Sequence, residues 1–144
     1  MFSTLREEGY GRVRMQPAHL PVLATLGEGL FPINLATRGV GMLPKEPLLE
    51  RFTALFEDTG LDSQKGPWEA SLERRIRATQ EFYCDPDNFD PFLLGGLEIF
   101  EGQTQHNLQE NPLCSLLYTG EAPRYPSYQF NAAARLVGPE TPHY

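Results

Sequence analysis

The apolar positions follow two periods, and the switch between them organises the chain. Residues 20–26 (Leu-Pro-Val-Leu-Ala-Thr-Leu) and 31–37 (Phe-Pro-Ile-Asn-Leu-Ala-Thr) are apolar runs of strand length. Gly27-Glu28-Gly29 between them is turn chemistry, so the pair reads as a β-hairpin. Pro21 and Pro32 stand at strand starts, where a missing ladder donor is tolerated. Gly39 and Gly41 are expected to end or bulge the second strand.

From Pro47 the period becomes helical. Leu48, Leu49, Phe52, Leu55 and Phe56 make one apolar face, which predicts a helix of about three turns ended by Gly60. Pro67 suits the first position of a second helix. Trp68, Leu72, Ile76 and Phe82 mark its expected inner side; Glu69, Glu73, Arg74, Arg75 and Arg77 mark the wet side, spaced for surface ion pairs. Residues 84–88 read as a loop. Residues 92–100 read as a mostly buried strand with a glycine bulge at Gly95-Gly96. A short helix is predicted over 104–110, with Thr104 as N-cap and Asn111-Pro112 as its stop.

Strands are then predicted over 113–119 and 127–137, with a turn at 120–126 and Gly138-Pro139 closing the last strand. In that strand Tyr128, Phe130, Ala132, Ala134 and Leu136 alternate with Gln129, Asn131, Ala133 and Arg135, so one face is expected to look toward a core. The order is strand, strand, helix, helix, strand, short helix, strand, strand. It implies an α+β, mainly antiparallel, barrel-like single domain over 1–144, with a two-helix insertion at about 45–85.

Composition narrows the function. The chain has 144 residues, 40% hydrophobic and 22% charged, which argues against a disordered tail, a collagen-like fibre or a disulfide miniprotein. Nineteen acids against twelve bases give a net charge of −7, which repels phosphate backbones and anionic lipid, so neither nucleic acid nor membrane is an expected partner. No apolar run approaches the roughly 20 residues a bilayer needs, and no signal-peptide pattern is read at the N-terminus. The expected address is the cytoplasm, with Cys84 and Cys114 as free thiols.

Three blocks carry a family resemblance. Leu23-Ala24-Thr25-Leu26-Gly27-Glu28, followed by Gly29 and Pro32, resembles the opening hairpin of the pyridoxamine phosphate oxidase-like split β-barrels, which commonly read Ala-Thr-x-x-x-x-Gly-x-Pro there. Residues 103–118, through Asn111-Pro112 and Leu116, are similar to that family's helix and following strand with its Asn-Pro-x-x-x-Leu ending. Residues 130–137 are similar to its last strand, with Ala132 where a glycine is usual. Together the blocks cover about half the chain in the family's order.

The resemblance implies a homodimer binding flavin mononucleotide (FMN) between subunits and acting as an oxidoreductase on a small-molecule substrate, the cofactor supplying the redox chemistry. It places Gln103, Thr104 and Gln105 near the phosphate, with Arg38 or Arg77 as helpers, and Ser115 and Gln129 near the ring. In the oxidase, basic residues stand where this chain has Gln103 and Thr104. That departure frames the alternatives: a non-catalytic split-barrel scaffold or interaction subunit that has lost the flavin, or a haem- or deazaflavin-binding relative.

Single residues add little chemistry. His106 reads as a partly exposed helix residue, and His19, His106 and His143 have no metal-ligand spacing. Cys114 reads as a buried inert thiol, and the acids Asp85, Asp87 and Asp90 oppose thiolate formation at Cys84. Those acids with Asn88 lack the glycine and distal glutamate of a calcium loop. Arg74, Arg75 and Arg77 read as a solvated helix face, and Tyr118, Arg124, Tyr125 and Tyr128 as an aromatic turn near the last strands. No nucleophile, triad or carboxylate pair supports a hydrolase or isomerase.

Overall fold

The structure is a computed structural model, and it describes residues 20–64, 66–98, 101–119 and 127–141. Among the described residues, six strands and three α-helices follow the order β1 (Val22–Leu26), β2 (Ile33–Thr37), β3 (Val40–Pro44), α1 (Leu49–Gln64), α2 (Leu72–Tyr83), β4 (Phe89–Gly96), α3 (Gln103–Glu110), β5 (Leu113–Thr119), β6 (Ser127–Ala133). The strands form a four-stranded sheet, β2-β1-β5-β6, and a two-stranded sheet, β3-β4. All three ladders of the larger sheet are antiparallel. The described residues fall into two compact units, one spanning Met42–Leu94 and the other residues 20–41 and 95–141.

The helical unit is organised by aromatic rings. Phe52 of α1, Phe82 of α2 and Phe89 at the start of β4 form its buried cluster, with Met42, Leu48, Leu55 and Tyr83 packed against it. Phe52 and Phe82 meet edge to face with centroids 4.9 Å apart, a favoured geometry for aromatic pairs. Burial pushes the Tyr83 hydroxyl pKa up, partly offset by a backbone hydrogen bond from Met42. The Asn88 amide donates to the carbonyls of Glu81 and Phe82, satisfying orphan acceptors at the end of α2.

Both helices depart from the simple pattern. α1 runs through Gly60 to Gln64. A lone helical glycine weakens a helix by about 1 kcal/mol and does not by itself stop one. α2 is preceded by a 3-10 turn over Trp68–Ser71, so Pro67 opens that turn instead of α2. Its buried line runs through Ser71, Ala78 and Phe82, while Ile76 is about half exposed. Arg75, expected on the wet side, is half-buried, and its Nε donates to the Ser71 hydroxyl at 3.2 Å. Arg74 pairs with Asp58 of α1, and Arg77 with Glu73 one turn back.

The strands also differ in their limits. The hairpin β1–β2 forms as expected, closed at its tip by the Gly27 N–H donating to the Pro32 carbonyl at 2.8 Å. Gly29 there has φ +100°, a conformation open to glycine. After Arg38-Gly39 the chain resumes as β3, which leaves the first sheet and pairs with β4. β4 begins at Phe89, ahead of the expected Phe92, because a strand paired on one side tolerates Pro91. The expected strand residues Ile99 and Phe100 lie outside the described residues, as do the turn 120–126 and the N-terminal nineteen residues. β6 ends at Ala133, short of the expected Val137, and all seven of its residues are exposed. Its predicted core-facing side is therefore corrected: among the described residues β6 is the last strand of its sheet, and α3 packs on β1 and β2.

Candidate functional site

α3 is attached to the sheet by buried polar side chains. Its N-cap is Gly102, two residues before the expected Thr104, and glycine offers no side-chain cap. Thr104 instead points inward and is 1% exposed. Its hydroxyl accepts from the Asn34 amide of β2 and from Arg38 Nη2, each at 3.0 Å. One turn on, Asn107 is also 1% exposed and donates to the Thr25 hydroxyl of β1 at 3.1 Å. Gln103 Nε2 donates to Asn107 Oδ1 at 2.6 Å. Gly27 permits this seating, since a Cβ there lies 2.2 Å from Asn107 Oδ1.

Arg38 is held on three sides. Nε and Nη2 donate to the two carboxylate oxygens of Glu98, at 2.7 and 3.0 Å. Nη1 donates to the Thr37 carbonyl at 2.9 Å, and Nη2 reaches Thr104 as above. A bidentate arginine–carboxylate fork is the strong form of an ion pair, and both side chains are three-quarters buried or more. The guanidinium is thereby neutralised by a protein carboxylate.

Alternation along the strands divides the predicted site residues. Directly paired residues share a face of a sheet, and neighbours along a strand alternate. Thr25 and Asn34 are ladder partners on the face that carries α3. Ser115 is the ladder partner of Ala24 and of Asn131, on the opposite face. On that face Ser115 donates to Asn131 Oδ1 at 2.8 Å, and Gln129 Nε2 donates to the same oxygen at 2.9 Å. The structure thus brings Arg38 and Thr104 together, and Ser115 and Gln129 together, but puts the two pairs on opposite sides of one sheet.

Gln105 joins neither pair. It lines an open polar depression of about 450 Å³ on the outer side of α3, with Glu101, Gly102, Gln103, His106 and Gln109. His106 lies in this rim, 3.5 Å from Glu110, and is exposed as its helix position suggested. Among the described residues no cluster of His, Cys, Asp or Glu is arranged to hold a metal. Cys114 lies on the α3 face of the sheet, and partial burial pushes its thiol pKa up, as expected for an unreactive cysteine. Cys84 and Cys114 are both free. Tyr118 meets Phe130 edge to face at 5.7 Å; Arg124 and Tyr125 lie outside the described residues. No helix among the described residues is long and apolar enough to cross a membrane.

These residues do not fit a flavin phosphate. A phosphate near two negative charges wants unpaired cations. Here Arg38 is paired to Glu98, the Gln103 amide is turned to Asn107, and Glu101 adds a further acid beside the helix start. What remains are backbone N–H groups at the uncapped start of α3, a weaker attraction. Sequence reasoning missed Glu98, Asn34, Asn107 and Asn131. Asn34 did carry a signal, as a polar residue interrupting an apolar strand. No family model, curated protein or solved structure matches the chain.

Proposed function

We propose that the chain is a split-barrel interaction protein: a homodimeric binding module built on the plan of the flavin-binding split barrels and working without the flavin. The observation that carries this reading is the Arg38–Glu98 fork, which uses the cation that a cofactor phosphate would need. The plan is supported by the antiparallel ladders of the sheet β2-β1-β5-β6 and by α3 packed on β1 and β2. The order hairpin, helix, Asn-Pro, strand, strand is the order of the three resembling blocks.

A second reading keeps the FMN-dependent oxidoreductase acting on a small molecule. The convergence of Ser115, Gln129 and Asn131 on one sheet face favours it, since hydroxyl and amide groups can read the polar edge of a flat ring. The two readings separate on one measurement. Purified protein is titrated with FMN, and bound flavin is read by absorbance and fluorescence quenching after desalting. The interaction reading expects a colourless protein that retains no flavin. Stoichiometric retention, lost on substituting Ser115 and Gln129, would replace it with the oxidoreductase.

A further inference from the structure

The seam between α3 and the sheet is polar on both sides. The side chains that α3 buries are Thr104 and Asn107; Leu108, its one apolar residue, is half-buried. Facing them are Thr25 and Asn34, again a hydroxyl and an amide. Burial of apolar surface is the dominant force that holds one element on another, and this seam has little of it. In its place stand the bonds from Asn34 and Arg38 to Thr104 and from Asn107 to Thr25. Opening the seam wets donors and acceptors together, so these bonds are exchanged for bonds to water at small net cost.

The chain is anchored on either side of α3. Before it, Glu98 is forked to Arg38, and the Leu97 N–H donates to the Gly39 carbonyl at 3.3 Å. After it, β5 is laddered to β1 and β6. Between the anchors the helix starts at Gly102, which has an extended backbone and no side chain to cap it, and stops at Asn111-Pro112. Arg38 Nη2 joins anchor to helix, donating to Glu98 Oε1 and to the Thr104 hydroxyl. When Thr104 leaves, the guanidinium keeps both oxygens of its carboxylate, so no charge is stranded.

We infer that α3 is a lid: it detaches from the β1–β2 hairpin while the sheet beneath stays formed, and Thr104 is its latch on Arg38. Opening bares Thr25 and Asn34 and frees one N–H of Arg38, a hydrogen-bonding strip that the closed lid keeps occupied. Eight residues are too few for a helix that is stable alone in water, so α3 keeps its own backbone bonds only while docked. Amide exchange from α3 therefore reports the lid.

The test follows exchange residue by residue by NMR on the full chain, in water and in low urea. The amides of residues 106–111 bond within α3 and its C-cap. They should share one protection factor, at least about tenfold below the slowest amides of β1 and β5, with a shallower urea dependence because opening exposes little surface. Thr104→Val should speed their exchange by about thirtyfold, and Thr104→Ser by less. Protection and urea slope equal to those of β1 and β5 would overturn the lid, since α3 would then open only with the sheet. Protection falling away from the middle of α3 toward its ends would also overturn it, that being fraying. Exchange from α3 unchanged by Thr104→Val would overturn the latch. Should Thr104→Val not fold, the parent profile and Thr104→Ser decide on the same criteria.

Discussion

Alanine in place of Gly27 adds one methyl group where the hairpin meets α3. The new Cβ would lie 2.2 Å from Oδ1 and 2.7 Å from Cγ of Asn107, far inside contact distance. The short Asn107 side chain cannot retreat and keep its partners: it is 1% exposed, donates to Thr25 and accepts from Gln103. Displacing it leaves the Thr25 hydroxyl, itself 2% exposed, unpaired, at a cost of about 1–3 kcal/mol. Crowding a packed site costs about 1–3 kcal/mol more. Gly27→Ala should therefore destabilise by about 2–5 kcal/mol, read as a lower urea midpoint at unchanged slope. The Asn107→Ala background removes the clash, so there the same glycine change should cost under about 1 kcal/mol. A loss below about 0.5 kcal/mol in the parent, or equal losses in both backgrounds, would refute the claim that Gly27 exists to seat Asn107.

Two further outcomes follow from the same geometry. Thr104→Val preserves shape but leaves the Asn34 amide and one Arg38 N–H without their acceptor, so a loss of about 2 kcal/mol is expected in urea unfolding, against a smaller loss for the conservative Thr104→Ser. Alkylation followed by mass spectrometry should find exposed Cys84 reacting at least about tenfold faster than Cys114 at neutral pH, the gap closing in denaturant. Burial holds the Cys114 proton to higher pH in the folded state than in the unfolded chain. Its contribution to stability is therefore full at neutral pH and is lost as pH rises through the folded thiol's raised pKa. Equal labelling rates in the folded protein would contradict the burial.

Much of the secondary structure was legible because it is local. The hairpin followed from two short apolar runs around glycines, α1 from its period though not its expected stop at Gly60, and α3 and β5 from the Asn111-Pro112 break between them. β3 was hidden because Gly39 and Gly41 read as punctuation, and only its partner β4 makes a strand of the residues around them. The inner line of α2 was misread at Ile76 and Arg75 because burial there depends on how α2 meets α1, a pairing with no local signature.

The candidate site divides in the same way. Composition by itself determined the acidic character of the chain, and strand alternation determined which residues could share a face. Whether Arg38 is free for an anion depends on Glu98, sixty residues away, and such a pairing is invisible until the chain is folded. Likewise, Thr104 and Ser115 lie eleven positions apart in sequence yet on opposite sides of a sheet. Pairing register alone decides the side, because a shift of one residue turns every side chain over.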